Sequence, residues 1–175
     1  MDAYLLDTCF LSKLYDQRRP DYAAVRAAAL DLDAASPQYL SVVVLAELRY
    51  GLEAAELAGQ NLTHIRHTIE QAATRQVIEV NRHPAQASWR DLSSAQLAAH
   101  WTDLSRRLPR WLEDWKDRVS SKSLQVDEGD LWLVAQAVER NYVLVSTDQG
   151  IADRFGPAVP DLRMQLVRGR SDPDS

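Results

Sequence analysis

Short apolar runs alternate along this chain with stretches whose apolar residues recur at helical spacing, and no other feature constrains its fold as much. The runs are Ala3-Tyr4-Leu5-Leu6, Tyr39 to Val43, Val77-Ile78-Glu79-Val80, Val143-Leu144-Val145 and Met164-Gln165-Leu166-Val167. Between them, Phe10, Leu11 and Leu14 read as helical, as do the alanine-rich stretch from Tyr22 to Ala35 and the series Leu45, Leu48, Leu52 and Ala55. Leu62 to Thr74, carrying Ile65 and Ile69, reads the same way. Ser36-Pro37 stops one helix, Ser41 is placed to cap the next, and Asn141 ends the helix of Leu131, Val134, Ala135 and Val138. Strands that alternate with helices belong to a mainly parallel sheet covered on both faces. The expectation is an α/β fold: a three-layer α/β/α sandwich on a mainly parallel sheet of about five strands. It occupies residues 1–168 as one domain, with a polar tail over 169–175.

The segment 85–122 departs from this alternation and holds four of the five tryptophans. Ser93 and Gln96 have the spacing of a capping box. Leu97, Trp101, Leu104, Leu108, Trp111 and Trp115 then follow a four-three alternation, the seam of a helix packed on a helix, which Pro109 should kink or split. A tryptophan-rich helical elaboration is expected there.

Charge and cysteine content narrow the functional classes. With 20 Lys+Arg against 25 Asp+Glu, the net charge is -5, so no global basic field attracts nucleic acid and any such contact needs a local patch. The single cysteine, Cys9, excludes an intramolecular disulfide and a Cys-rich zinc site. No apolar run approaches the roughly 18 residues that span a membrane, and the start Met-Asp-Ala-Tyr lacks the basic and apolar regions of a secretory signal. A cytoplasmic location is the expectation.

In open α/β sheets, ligands bind beyond the carboxyl ends of the strands. Asp7 closes the first apolar run and Asp148 follows the fourth; Glu47 comes about one helical turn after the second, and Asp130 opens the helix that leads into Val143 to Val145. Two carboxylates about 5 Å apart repel by roughly 3 kcal/mol at an effective dielectric near ~20. Four at one edge need protons or a divalent cation between them, and oxygen-only donors favour Mg²⁺ or Mn²⁺ over zinc. Taken singly, Asp7 and Asp148 read equally as helix caps, and Asp130 as an acid favoured by a helix dipole. Glu47 lies between Ala46 and Leu48 in an apolar setting and requires a partner.

Four blocks in this order, Tyr4-Leu5-Leu6-Asp7-Thr8, Ser41 to Leu52, Asp130-Leu131-Trp132-Leu133-Val134-Ala135 and Val143 to Asp148, resemble the PIN-domain ribonucleases. Within that family they are similar to the VapC-type toxins of bacterial toxin-antitoxin pairs. The resemblance implies a PIN-like fold in which Asp7, Glu47, Asp130 and Asp148 bind metal, supported through hydrogen bonds by Thr8 and Thr147. It also implies a homodimer and a cognate antitoxin. The activity expected is Mg²⁺- or Mn²⁺-dependent hydrolysis of single-stranded RNA, with Asp7 and Asp130 as the leading direct ligands. Glu47 and Asp148 would act through water, on a second ion, or as the base.

Arg106, Arg107, Arg110 and Lys116 concentrate positive charge in the tryptophan-rich segment and are candidate RNA contacts, with an exposed Trp stacking on a base. The competing reading is a solvated helix face with its tryptophans in the core. His64 and His67 have helical spacing but no third ligand nearby, so they read as surface residues. Cys9 occupies the place where a haloacid-dehalogenase-like phosphatase needs a second Asp, which disfavours that class. A catalytically silent PIN-fold module that binds RNA or a partner is the alternative function.

Overall fold

Leu5 and Leu6 lose all solvent exposure because β1 (Tyr4–Leu6) is the middle strand, paired in parallel with β2 (Gln38–Ser41) and β4 (Val143–Ser146), in a sheet whose faces are covered by helices. The computed structural model describes residues 2–33, 36–80, 84–105, 107 and 109–168. The sheet continues outward to β3 (Gln76–Ile78) beside β2 and β5 (Arg163–Leu166) beside β4, giving five strands, all parallel, in the order β3-β2-β1-β4-β5. The helices are α1 (Thr8–Leu14), α2 (Tyr22–Asp33), α3 (Val42–Leu57), α4 (Thr63–Ala72), α5 (Pro84–Trp101), α6 (Glu128–Arg140) and α7 (Gln149–Ala158). They complete the expected three-layer α/β/α sandwich. Leu5, Leu40, Phe10, Leu131, Leu144 and Phe155 are fully buried in its core. Among the described residues no helix is long and apolar enough to cross a membrane.

Three local readings are corrected. Val42 and Val43 belong to α3 and not to the preceding strand. Three consecutive valines disfavour a helix start, but Ser41 Oγ accepts the Val43 N–H at 3.0 Å and Val44 is fully buried, so cap and packing override propensity. Helix α7 went unread because Gly150, Gly156 and Pro157 weaken it; its cap at Asp148 and the burial of Ile151 and Phe155 hold it in place.

The third correction is the tryptophan-rich segment. Ser93 and Gln96 lie inside α5, which begins at Pro84, a residue whose fixed φ suits a first helical position. The seam ends at Trp101. There Thr102 N–H closes the helix on Ala98 O at 3.0 Å, and Asp103 Oδ1 accepts the Ser105 N–H at 2.9 Å, turning the chain away. A single 3-10 turn, Leu112–Asp114, follows, and Lys116 pairs with Ser123 in an isolated antiparallel bridge. Trp115 is buried and its indole N–H donates to Pro109 O at 3.1 Å, whereas Leu104 and Trp111 are 57% and 60% exposed. The elaboration is thus a helix and a tryptophan-pinned loop instead of one continuous seam. Arg106, Leu108 and the tail 169–175 lie outside the described residues.

Helix α6 ends where expected: Asn141 takes the left-handed conformation (φ 54) and its N–H returns to Ala137 and Val138 O. Because Leu5 is fully buried in the middle strand, Leu5→Ala should cost about 2–5 kcal/mol. Urea denaturation checks this as a lower midpoint with an unchanged slope.

Candidate active site

The strand order reverses between β1 and β4, so their carboxyl ends form the crevice where sheets of this kind bind ligands. Register sets what stands there. Leu6 pairs with Leu40 and Val145, so the next residue, Asp7, stands level with Ser41 and Ser146. Asp7 is 3% exposed, its N–H donates to Val145 O at 3.0 Å, and its Oδ2 accepts the Ser146 hydroxyl at 2.6 Å. Ser146 Oγ in turn accepts the Asp148 N–H at 2.9 Å, tying the two strand ends together. Burial pushes the Asp7 carboxyl above its ordinary range; Ser146 opposes that shift and the charge of Asp148 adds to it.

Ser146 thus does the work expected of Thr147. The Thr147 Oγ1 is buried and has no hydrogen-bond partner among the described residues. Adjacent residues at a strand end point to opposite faces, so only one of them can reach Asp7.

Glu47 is delivered by α3, half-buried, and accepts a short hydrogen bond from the Thr8 hydroxyl at the start of α1. Burial raises its carboxyl, and the charges of Asp127 and Asp7 add to the rise. Asp130 lies in the first turn of α6. Its N–H donates to Asp127 Oδ1 at 2.9 Å and its Oδ2 accepts the Asp127 N–H at 3.3 Å, a capping box. Its carboxyl is pushed up to about 7, first by burial, then by Asp127, Asp7 and Glu47. Asp148 caps α7, accepting the Gly150 N–H at 2.7 Å.

The structure therefore brings Asp7, Glu47, Asp130 and Asp148 to one edge, each in the field of at least one other. Two participants were missed in the sequence. Asp127 is the leading electrostatic neighbour of both Glu47 and Asp130; the acid-rich run Asp127-Glu128-Gly129-Asp130 was the available signal. Gly129 lies so close to Glu47 that a β-carbon there would collide with Glu47 Oε1 and stand 3.1 Å from Asp127 Oδ1. Nothing local in the sequence announces that approach.

Among the described residues, no three His, Cys, Asp or Glu side chains stand close enough together to hold an ion as they are placed. The carboxylates are turned instead toward Ser146, Thr8, Gly150 and Asp127. Their chemistry nevertheless fits a hard divalent cation: an oxygen-only set in which Asp7, Glu47 and Asp130 hold protons too tightly because burial and mutual repulsion penalise the charged forms. His67 packs edge-on against Tyr15, with ring centroids 5.9 Å apart, and no metal group forms around it among the described residues.

Of the expected RNA contacts, Arg107, Arg110 and Lys116 are exposed, and Arg110 stacks on the exposed Trp111 ring with 4.9 Å from Cζ to its centroid. Arg107 and Lys116 line a cleft of about 500 Å³ with Trp115 and Asp114.

An all-parallel α/β sheet with an acid edge at its switch point defines the architectural class. The PIN domain family model matches residues 4–155, and the chain belongs to that family. PIN domains are typically nucleases and generally use divalent metal ions. Solved structures share the fold. VapBC2 of Rickettsia felis, bound to a promoter DNA fragment, matches with a TM-score of 0.64 at 14% identity over 94% of this chain and 98% of that one. DNA-bound VapBC of Salmonella typhimurium gives 0.61 at 16% identity, covering 95% and 98%. VapBC-5 of Mycobacterium tuberculosis gives 0.56 at 22%, covering 96% and 99%. No curated protein sequence matches the chain.

Two predictions follow from this geometry. Asp130 titrates near 7 when folded and near ~3.9 when unfolded, so the folded state binds the extra proton and stability falls as pH rises from about 4 to 7. The chelated protein should show a declining Tm across that window, and Asp130→Asn, which keeps the acceptor for Asp127, should make the decline shallower, the remainder belonging to the raised carboxyls of Asp7 and Glu47. Asp16 is held down to about 2 by Arg18 and acts only at lower pH. Gly129→Ala should move Glu47 off its position while changing Tm little, since the colliding atom ends a flexible side chain; calorimetric Mn²⁺ titration should show weakened affinity.

Proposed function

We propose that this protein is a Mg²⁺- or Mn²⁺-dependent endoribonuclease that hydrolyses phosphodiester bonds of single-stranded RNA, the toxin of a toxin-antitoxin pair acting in the cytoplasm. One observation carries the reading. Acids from four separated segments, Asp7, Glu47, Asp130 and Asp148, share the crevice at the switch point, and the Asp130 carboxyl is raised to about 7 by burial and by its neighbours. A site that penalises its own charges in this way gains from a cation.

Asp7 and Asp130 would hold the ion, with Glu47 and Asp148 completing its surroundings or a second site. A bound Mg²⁺ or Mn²⁺ would supply Lewis acidity toward the phosphodiester and charge for the leaving oxygen. Glu47, oriented by Thr8, is the candidate base, since its raised carboxyl is better suited to accept a proton. Ser146 positions Asp7 without entering the chemistry. Arg107, Arg110 and Lys116 would track phosphates, and the exposed Trp111 offers a face for a base. A cognate antitoxin and a homodimer belong to this reading; the VapBC complexes among the structural neighbours support the antitoxin.

A second reading has its own observation. Because no three acids are gathered as an ion cage among the described residues, a catalytically silent PIN-fold module that binds RNA or a protein partner remains the alternative.

Incubation of the protein with end-labelled single-stranded RNA separates the two. The nuclease should cut in Mg²⁺, stop on chelation, leave 5'-phosphate and 3'-hydroxyl ends, and lose at least about a hundredfold in rate as Asp7→Asn or Asp130→Asn. Binding without chelator-sensitive cleavage would establish the silent module instead. In cells, equal growth arrest on induction of wild type and Asp7→Asn would count against the toxin nuclease.

A further inference from the structure

An edge lined by Asp7, Glu47, Asp130 and Asp148 repels the polyanion it is proposed to cut, so a cation beside it would help seat a phosphate. We propose that Arg154 is that cation, a substrate-positioning residue that binds a backbone phosphate of the RNA beside Asp148. The inference rests on the nuclease reading above.

Arg154 belongs to α7 but folds back over the helix's first turn. The point where a β-carbon on Gly150 would stand is 2.7 Å from Arg154 Nη1 and 3.0 Å from Asp148 Oδ1. Glycine at 150 is what leaves room for the guanidinium there. So placed, the group is half-buried next to a site carboxylate, yet it makes no salt bridge with Asp148 or any other acid among the described residues. Among the described residues its one side-chain hydrogen bond is a long one, donated by Nη2 to Gln125 Oε1 at 3.5 Å.

The elaboration and the residues just after it converge to hold it. The Trp101 indole at the end of α5 donates to Arg154 O at 2.9 Å. Gln125, at the end of the loop, takes a left-handed backbone (φ 51) and donates its N–H to Ser123 Oγ at 3.2 Å. A non-glycine residue persists in that region only where its surroundings fix it.

Helix stability does not account for this placement, because a cation near a helix N-terminus opposes the dipole. Nor does a formed ion pair, since no salt bridge joins Arg154 to Asp148 among the described residues and Asp148 Oδ1 accepts the Gly150 N–H instead. A guanidinium with most of its donors unused among the described residues suits a phosphate, which it binds through paired hydrogen bonds.

The test uses the full chain carrying Asp7→Asn to prevent cleavage, a fluorescein-labelled single-stranded RNA, and anisotropy titrations in Mg²⁺ across a range of salt. Adding Arg154→Gln should weaken binding about tenfold and reduce the slope of log affinity against log salt by about 0.7; Arg154→Lys should keep the slope. In the cleaving protein, Arg154→Gln should raise KM far more than it lowers kcat. Unchanged affinity and slope in a folded Arg154→Gln, with the parent binding and wild type cutting, overturn this inference alone. A wild type that cuts nothing overturns the nuclease reading and this one with it. Should Arg154→Gln melt early, Gln125→Ala decides: several-fold weaker binding with the slope retained supports the proposal, and no change overturns it.

Discussion

The hydrogen bond from Ser146 to Asp7 is the contact on which the rest of the edge depends. Asp7 is buried at the end of the middle strand, where a carboxylate left without a donor would carry a desolvation cost of several kcal/mol. Ser146 supplies the donor because β1 and β4 are parallel and in register, so the residue after Leu6 faces the residue after Val145. The same hydroxyl accepts from Asp148, so one side chain fixes the spacing of two acids. Sheet register, an apolar matter of packing Leu5 and Leu6, thereby sets an electrostatic geometry.

Asp130 and Asp148 show that helix capping and site chemistry are not competing explanations. Asp148 caps α7 and Asp130 closes a capping box with Asp127, yet both point into the edge that Asp7 and Glu47 occupy. A helix start exposes amide donors that stabilise a carboxylate and orient it. Building the edge from helix starts therefore lets backbone dipoles offset part of the repulsion among the acids, in an arrangement that already serves the fold.

What was legible in the sequence follows from how far each interaction reaches along the chain. The strand-end acids could be read because a short apolar run followed by Asp is a local pattern, and Glu47 because an acid in an apolar helix needs a partner. Ser41 as a cap and Asn141 as a helix end are equally local. Ser146 could not be preferred over Thr147, since the choice depends on which face a strand end presents. Gly129 and Gly150 each make room for a side chain from another turn or another helix, and only the fold reveals who the neighbour is. The apolar periodicity of 97–115 misled because Trp115 and Leu97 are both buried, but by a loop folded back and not by one helix.

That loop changes how an acidic chain can meet a polyanion. The electrostatic potential at a surface is set by the charges within roughly one Debye length, ~8 Å at physiological salt, far more than by the total. The net charge of -5 therefore says little about the mouth of the crevice. Trp101, from the segment that departs from the alternating plan, and Gln125, just beyond it, reach the residue whose guanidinium overlies Gly150. The tie between Arg90 and Glu128, with N–O distances of 2.6 and 3.0 Å, joins α5 to the start of α6 in the same way. The elaboration is thus tied to both helices whose starts deliver acids, and because its Leu112 and Trp115 also pack in the hydrophobic core, the loop links core packing to the acid edge.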